Sequence, residues 1–235
     1  MVKLFVPTDD RENYTYKPAT SLIEPITIGR SLNTPYEAAR FVSLIPFERR
    51  ENPGGEKVEM WQTCHSFLSQ GKGDIEDHST LLCNLLLGFG LDAFVAIGVS
   101  INGPHTWVIT RNKLENKQIS IIFWESLTAQ RINLADPKVF RFYKKIHCVF
   151  NDKKFFGNIQ VDDTVFNTIY NFEDEFLWKR VPYDKIDSLP KYTNFPFMDV
   201  IQINLMEIES NIEKEIKSKI TKYRKSKLND NEKNI

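Results

Sequence analysis

Apolar positions along the chain follow three rhythms in turn, and each predicts its own elements. Residues 1–33 mix short apolar runs (LFVP, LIEPITIG) with Pro and polar breaks, which suits one or two short strands. At Thr34-Pro35-Tyr36-Glu37 a capping box with Pro at the first helical position opens a helix. Ala38, Ala39, Phe41 and Val42 carry it on until the backbone ahead of Pro46 leaves the helical region. The stretch around ENPGGE is a loop. Met60 to Leu68 places Trp61, Cys64, Phe67 and Leu68 at helical spacing and predicts a short helix, broken by Gly71-Lys72-Gly73. A longer helix follows from Asp74. Its first turn carries Asp74, Glu76 and Asp77, which suits the positive end of a helix dipole. Leu81 to Leu87 is apolar nearly all round, so this helix is central and buried until Gly88 and Gly90 stop it.

The second rhythm is that of strands: Ala93–Ser100, then His105–Thr110 after the turn residues Asn102-Gly103-Pro104, then Ile119–Leu127. Further strands are predicted at Ile146–Phe150 and Phe155–Ile159, and a short helix at Asp174–Lys179. Pro182 to Pro196 reads as a linker. In the third rhythm, Ile201, Leu205, Ile208, Ile212, Ile216, Ile220 and Tyr223 recur every three or four residues on a charged background, which predicts an amphipathic helix over 200–228. The last seven residues, 229–235, read as a disordered tail.

Charge adds little. The chain has 31 basic and 31 acidic residues, so no global field draws in a phosphate backbone, and nucleic acid is not an expected partner. No apolar run approaches the roughly 20 residues that span a bilayer, and the opening MVKLFVPTDDRENYTYK lacks a signal-peptide pattern. A cytoplasmic protein is expected. Cys64, Cys83 and Cys148 are an odd set without a CxxC pair, which suits reduced structural thiols.

The candidate chemistry lies between Trp61 and Thr128. A Gly-rich loop, a helix N-terminus, a buried helix, a strand, a turn, a strand opening on His105 and a strand carrying Glu125 follow in order. A cysteine in the first turn of such a helix would be acidified by the helix dipole and a nearby imidazolium, with His105 as base and Glu125 orienting its ring. The position that should hold the thiol holds Ile75.

These residues resemble the transglutaminase-like superfamily, whose Gly-x-Cys, His-x-Trp and acidic strand here read Gly73-Asp74-Ile75, His105-Thr106-Trp107 and Trp124-Glu125. TPYEAARFV, GKGDIEDHSTLLCNLLLGFGLDAFV, PHTWVIT, FWESLTAQR and CVFNDKKFFGNIQ are similar to the peptidase-like domain family of the seventy-six-kilodalton centrosomal proteins. That family opens the helix with Gly-Asp-Cys-Glu-Asp-His, so the departure falls on the nucleophile. The resemblance implies an α+β fold of transglutaminase-like type over 34–180, a central buried helix on an antiparallel sheet, with an extension at 1–33 and a linker at 181–199. It also implies a centrosome, centriole or basal-body setting, and a C2 region ahead of this domain. With 33 residues before the match, the chain reads as a piece or a shortened form of such a protein.

The expected function is a catalytically inactive module that binds a protein or peptide partner in centriole duplication or ciliary assembly, with Asp74, Trp107 and Trp124 lining the cleft beside the relic positions Ile75, His105 and Glu125. The alternative is an active cysteine peptidase or acyltransferase using Cys64 with His105 and Glu125. No helix N-terminus is expected to activate Cys64, and Cys83 lies about 12 Å along the central helix, facing the interior. Cys64, His65 and His78 have no metal-ligand spacing, so no metal or cofactor is expected. The stripe of Ile201, Leu205, Ile208, Ile212 and Ile216 reads first as a helix packed on its own domain and second as a face for self-association.

Overall fold

The computed structural model describes residues 3–10, 13–27, 32–49, 59–113, 119–181 and 205–232. The chain divides into one unit over residues 1–191 and a second over 192–235. In the first unit, an antiparallel sheet of seven strands runs in the order β6-β5-β4-β3-β7-β8-β9. The strands are β3 (Asp92–Ser100), β4 (Gly103–Lys113), β5 (Ile119–Trp124), β6 (Arg131–Asn133), β7 (Tyr143–Phe150), β8 (Phe155–Asn158) and β9 (Trp178–Arg180).

The central helix, α3 (Ile75–Gly88), forms where its caps predict. Asp74 at the N-cap accepts a hydrogen bond from the Asp77 N–H at 3.1 Å, and the Asp77 carboxylate accepts from the Asp74 N–H at 3.2 Å. Leu81, Leu82, Cys83, Leu85 and Leu86 pack on the face of the sheet that carries Val95, Ile97, Val108, Trp124, Cys148 and Phe150. The other face carries Phe94, Ala96, Trp107, Ile109, Phe123 and Tyr143, covered by Val165, Tyr170, Phe172 and Trp178. β3 is therefore sealed on both faces, which is why its sequence is a continuous apolar run and not an alternation. The covering layer is aromatic: the Phe172 ring lies 5.1 Å from Phe94 and 4.8 Å from Trp178 in edge-on geometry, each pair contributing about 1 kcal/mol beyond area burial.

The N-terminal extension closes onto this same core. Strands β1 (Phe5–Asp10) and β2 (Asn13–Pro18) form a hairpin, and a 3-10 turn (Ala19–Leu22) follows. Val6, Ala19, Leu22 and Ile23 join the cluster around α3. The Trp61 N–H donates to the Pro7 carbonyl at 2.9 Å. Helix α1 (Pro35–Ser43) buries Ala38, Ala39 and Val42, with Thr34 as its cap as the sequence predicts.

Several expectations are corrected. The helix read from Met60 begins at Cys64, capped by Thr63, and ends at Gln70 (α2). Trp61 instead makes a strand-like bridge to Thr8. β4 spans Gly103–Lys113, taking in Gly103 and Pro104, read as turn, and running past Thr110. Asp174–Lys179 is a turn leading into β9 and not a helix. Strand β6 and helix α4 (Lys138–Phe142) were not anticipated.

In the second unit, α5 (Leu205–Glu232) is a single helix of 28 residues. It runs past residue 228 into the segment read as a disordered tail. Ile201, the loop at 50–58 and the linker residues 182–199 lie outside the described residues.

Candidate functional site

Three backbone elements converge at the end of the sheet where α3 begins. The Ser79 hydroxyl donates to the Thr106 carbonyl at 3.2 Å and lies 3.1 Å from the Ser126 hydroxyl, so α3 is fastened to β4 and to the end of β5. The Thr106 hydroxyl donates to the Glu76 carboxylate at 3.3 Å. One residue earlier in β4, His105 points to the opposite face of the sheet, because successive strand residues alternate. Its ring stacks on Trp107 at 5.9 Å and meets Phe142 edge-on at 5.2 Å.

His105 and Glu125 do come together, with Nε2 2.9 Å from Glu125 Oε1. That bond fixes the ring through Nε2. The Tyr143 hydroxyl donates to the same carboxylate oxygen in a short hydrogen bond. Burial, then the Glu125 charge, push the Tyr143 phenol above its usual range, so it stays protonated and keeps donating. Sequence reading missed Tyr143. Tyr143, Ile146 and Val149 share one face only because the β3–β7 pairing slips twice, and strict alternation does not find such a set.

Ile75 occupies the first position of α3, where the N-terminal N–H groups favour negative charge. Its side chain offers neither a lone pair nor a proton. The surrounding carboxyls remain. Asp77 accepts from the Gln62 backbone N–H and from its side-chain amide, each at 2.8 Å. Burial, then the neighbouring Asp74, nevertheless push Asp77 up to about 6. Burial also raises Glu76. Gln62 had no signal in the sequence, since its partner is fifteen residues away. His78 is fully buried, with its two ring nitrogens 2.6 Å and 2.9 Å from the Asp74 and Ile45 carbonyls, so it is a strut between α1 and α3.

The remaining predicted residues divide. Asp74 spends its carboxylate on the helix cap. Trp107 is fully buried behind His105, and its Nε1–H has no hydrogen-bond partner among the described residues. Trp124 pairs in register with Val108 on the α3 side, donates to Thr110 at 2.8 Å, and lies under the Arg131 guanidinium. The two tryptophans therefore sit on opposite faces of the sheet, where one cleft lining was expected.

Cys64 does open a helix, contrary to expectation. The Asn84 amide donates to its sulfur at 2.8 Å, yet burial dominates and pushes the thiol up to about 12. It is protonated at neutral pH and a poor nucleophile. Cys83 and Cys148 are buried, and burial raises both. Among the described residues no group of three metal-binding side chains comes together, and no helix is long and apolar enough to cross a membrane.

Residues 59–181 match the family described as the CEP76 peptidase-like domain. The chain is 38% identical over 244 residues to the centrosomal protein of 76 kDa of Mus musculus, covering 96% of this chain and 36% of that protein. It is 43% identical over 202 residues to the Xenopus tropicalis protein of the same name, covering 80% and 30%. Human protein CC2D2B is 30% identical over 192 residues, covering 79% of this chain and 13% of that protein. The chain spans about a third of the length of the two centrosomal relatives. Among solved structures, calcium-bound LapG of Legionella pneumophila is similar at 18% identity and a TM-score of 0.40, over 52% of this chain and 65% of that one. The chain carries the family's domain from the loop before α2 to the end of β9, and it belongs to the CEP76 peptidase-like domain family.

Proposed function

We propose that this domain is a non-catalytic member of its family that binds an extended protein or peptide segment where α3 begins. The observation that carries the reading is Ile75 at the first position of α3, on a helix whose cap, flanking carboxyls and fastening to β4 are all in place. A nucleophilic thiol there would be stabilised by the helix dipole; an isoleucine fills the same space, excludes water and offers an apolar contact. His105, held by Glu125 and Tyr143, supplies a fixed polar group at the start of β4, next to the Thr106 that bonds the first turn of α3. Asp74 and Trp107 hold the helix start and the His105 ring in place, and Trp124 braces the sheet from the α3 side.

Relatives at 38% and 43% identity are named as centrosomal proteins, which supports a role at the centrosome, centriole or basal body in centriole duplication or ciliary assembly. The partner is a protein; the balanced charge gives no reason to invoke nucleic acid.

The test is a peptide-library assay that reads binding and turnover on the unmodified chain and on Ile75→Cys. Binding without turnover by the unmodified chain is expected, with binding weakened by His105→Ala. Cleavage or acyl transfer by the unmodified chain overturns the reading.

A further inference from the structure

The apolar stripe of α5 is exposed, and the charges beside it are ordered. Ile212, Ile216, Ile220 and Tyr223 are 53%, 52%, 45% and 63% exposed. Their spacing of four, four and three residues closes a repeat of eleven, about 3.67 residues per turn, so the stripe runs nearly straight along the helix. At about 100° per residue, Glu213 and Lys217 fall on one flank of the stripe, and Glu215 and Lys219 on the other. Each flank already forms an ion pair within its own helix, Glu213 to Lys217 at 2.6 Å and Glu215 to Lys219 at 2.9 Å.

We propose that two copies of the chain pair through α5 in antiparallel orientation, with the two-fold axis at Ile216. The charges choose the orientation. In a parallel pair the acidic stretch around Glu213 and Glu215 lies along the partner's acidic stretch, and the basic stretch from Lys217 and Lys219 lies along the partner's basic stretch. In an antiparallel pair each flank meets its own reverse. Glu213 then faces the partner's Lys217, Glu215 faces the partner's Lys219, and Ile212 packs on the partner's Ile220. The same polarity continues in the sequence beside the stripe, with Lys222 and Arg224 after the axis. An acidic half followed by a basic half fits a reversed copy of itself and repels an aligned one.

The test uses the full chain. Sedimentation velocity across a dilution series should show a monomer–dimer equilibrium, weakened about tenfold or more by Ile216→Asp. Glu213→Lys with Glu215→Lys should also weaken it, and adding Lys217→Glu with Lys219→Glu should restore it. For orientation, Ile212→Cys chains mixed with Ile220→Cys chains should oxidise to a mixed disulfide. Ile212→Cys alone should not link to itself, because its two copies lie about 12 Å apart. All these positions are exposed, and the circular dichroism melt checks that each variant is folded. A chain that stays monomeric, which would leave the stripe to a different partner, overturns the proposal. So does a dimer indifferent to Ile216→Asp, or efficient self-linking of Ile212→Cys.

Discussion

At the scale of single residues, Asp77 shows how burial and hydrogen bonding compete. Its carboxylate accepts from Asp74 and twice from Gln62, which favours the charged form, yet burial and the nearby Asp74 outweigh them and lift it to about 6. The ordinary value is 3.8, so between the two values the folded chain binds more protons than the unfolded one. The stabilisation is therefore complete below about 3.8 and is lost as pH rises through about 6. Asp77→Asn has no such proton to lose. The unfolding free energy of the parent should fall relative to Asp77→Asn by about 2–3 kcal/mol across that window, measured by denaturant titration. Parallel curves would show that Asp77 keeps an ordinary affinity for its proton. Cys64 gives a second expectation. With its thiol lifted to about 12, alkylation at pH 8 should be slower than for a free cysteine by roughly a thousandfold. Fast, selective labelling of Cys64 in the folded chain would revive it as a nucleophile.

Among the elements, the slip between β3 and β7 is held open by Gly98. A Cβ there would meet the Lys145 carbonyl oxygen at 2.0 Å and the Trp107 ring at 2.7 Å, the first of these a backbone atom with little room to move. Gly98→Ala should therefore cost about 3 kcal/mol and lower the melting temperature by roughly 6–12 °C. Because Trp107 carries the His105 ring, the same variant should also perturb the His105 ring resonances; an unchanged melt would mean the slip is looser than its contacts. Long-range constraints of this kind mark where the sequence stopped being legible. α1, α3, β3 and β5 could be read because caps and apolar runs are local signals. Trp61 could not, since it shares helical spacing with Cys64 and Phe67 while its N–H is taken by Pro7, far back in the chain. β9 was missed because Trp178 finds its strand partner at Asn158, across an aromatic layer that no short window contains. His105 and Glu125 were legible as types at strand ends. Trp124 was misplaced although the signal was present: a residue adjacent to Glu125 on a strand faces the other way.

For the whole molecule, the two ends of the chain differ in what they hold. Val6, Ala19, Leu22 and Ile23 are all at most 5% exposed and share one cluster with Leu81, Leu85 and Leu86 of the central helix. The Glu24 N–H donates to the Asn84 side chain and the Ile26 N–H to the Asn84 carbonyl, each at 3.0 Å, so the N-terminal segment is also tied to α3 by hydrogen bonds. Each buried aliphatic side chain contributes about 1.5–3 kcal/mol, and a domain is stable by only about 5–15 kcal/mol. Removing residues 1–24 should therefore abolish the cooperative thermal transition and not merely shift it. At the other end, both core clusters are drawn from residues up to Val181 among the described residues. Removing residues 192–235 should move the melting temperature by less than about 2 °C, since it takes nothing from either cluster. The pair of truncations is informative because sequence rhythm favours the opposite ranking: the first 33 residues look like an irregular extension and α5 looks like a designed element. If the N-terminal deletion melts like the full chain, the hairpin only leans on the surface and its buried residues are replaceable. If the C-terminal deletion melts well below it, residues 192–235 carry stability that neither cluster records.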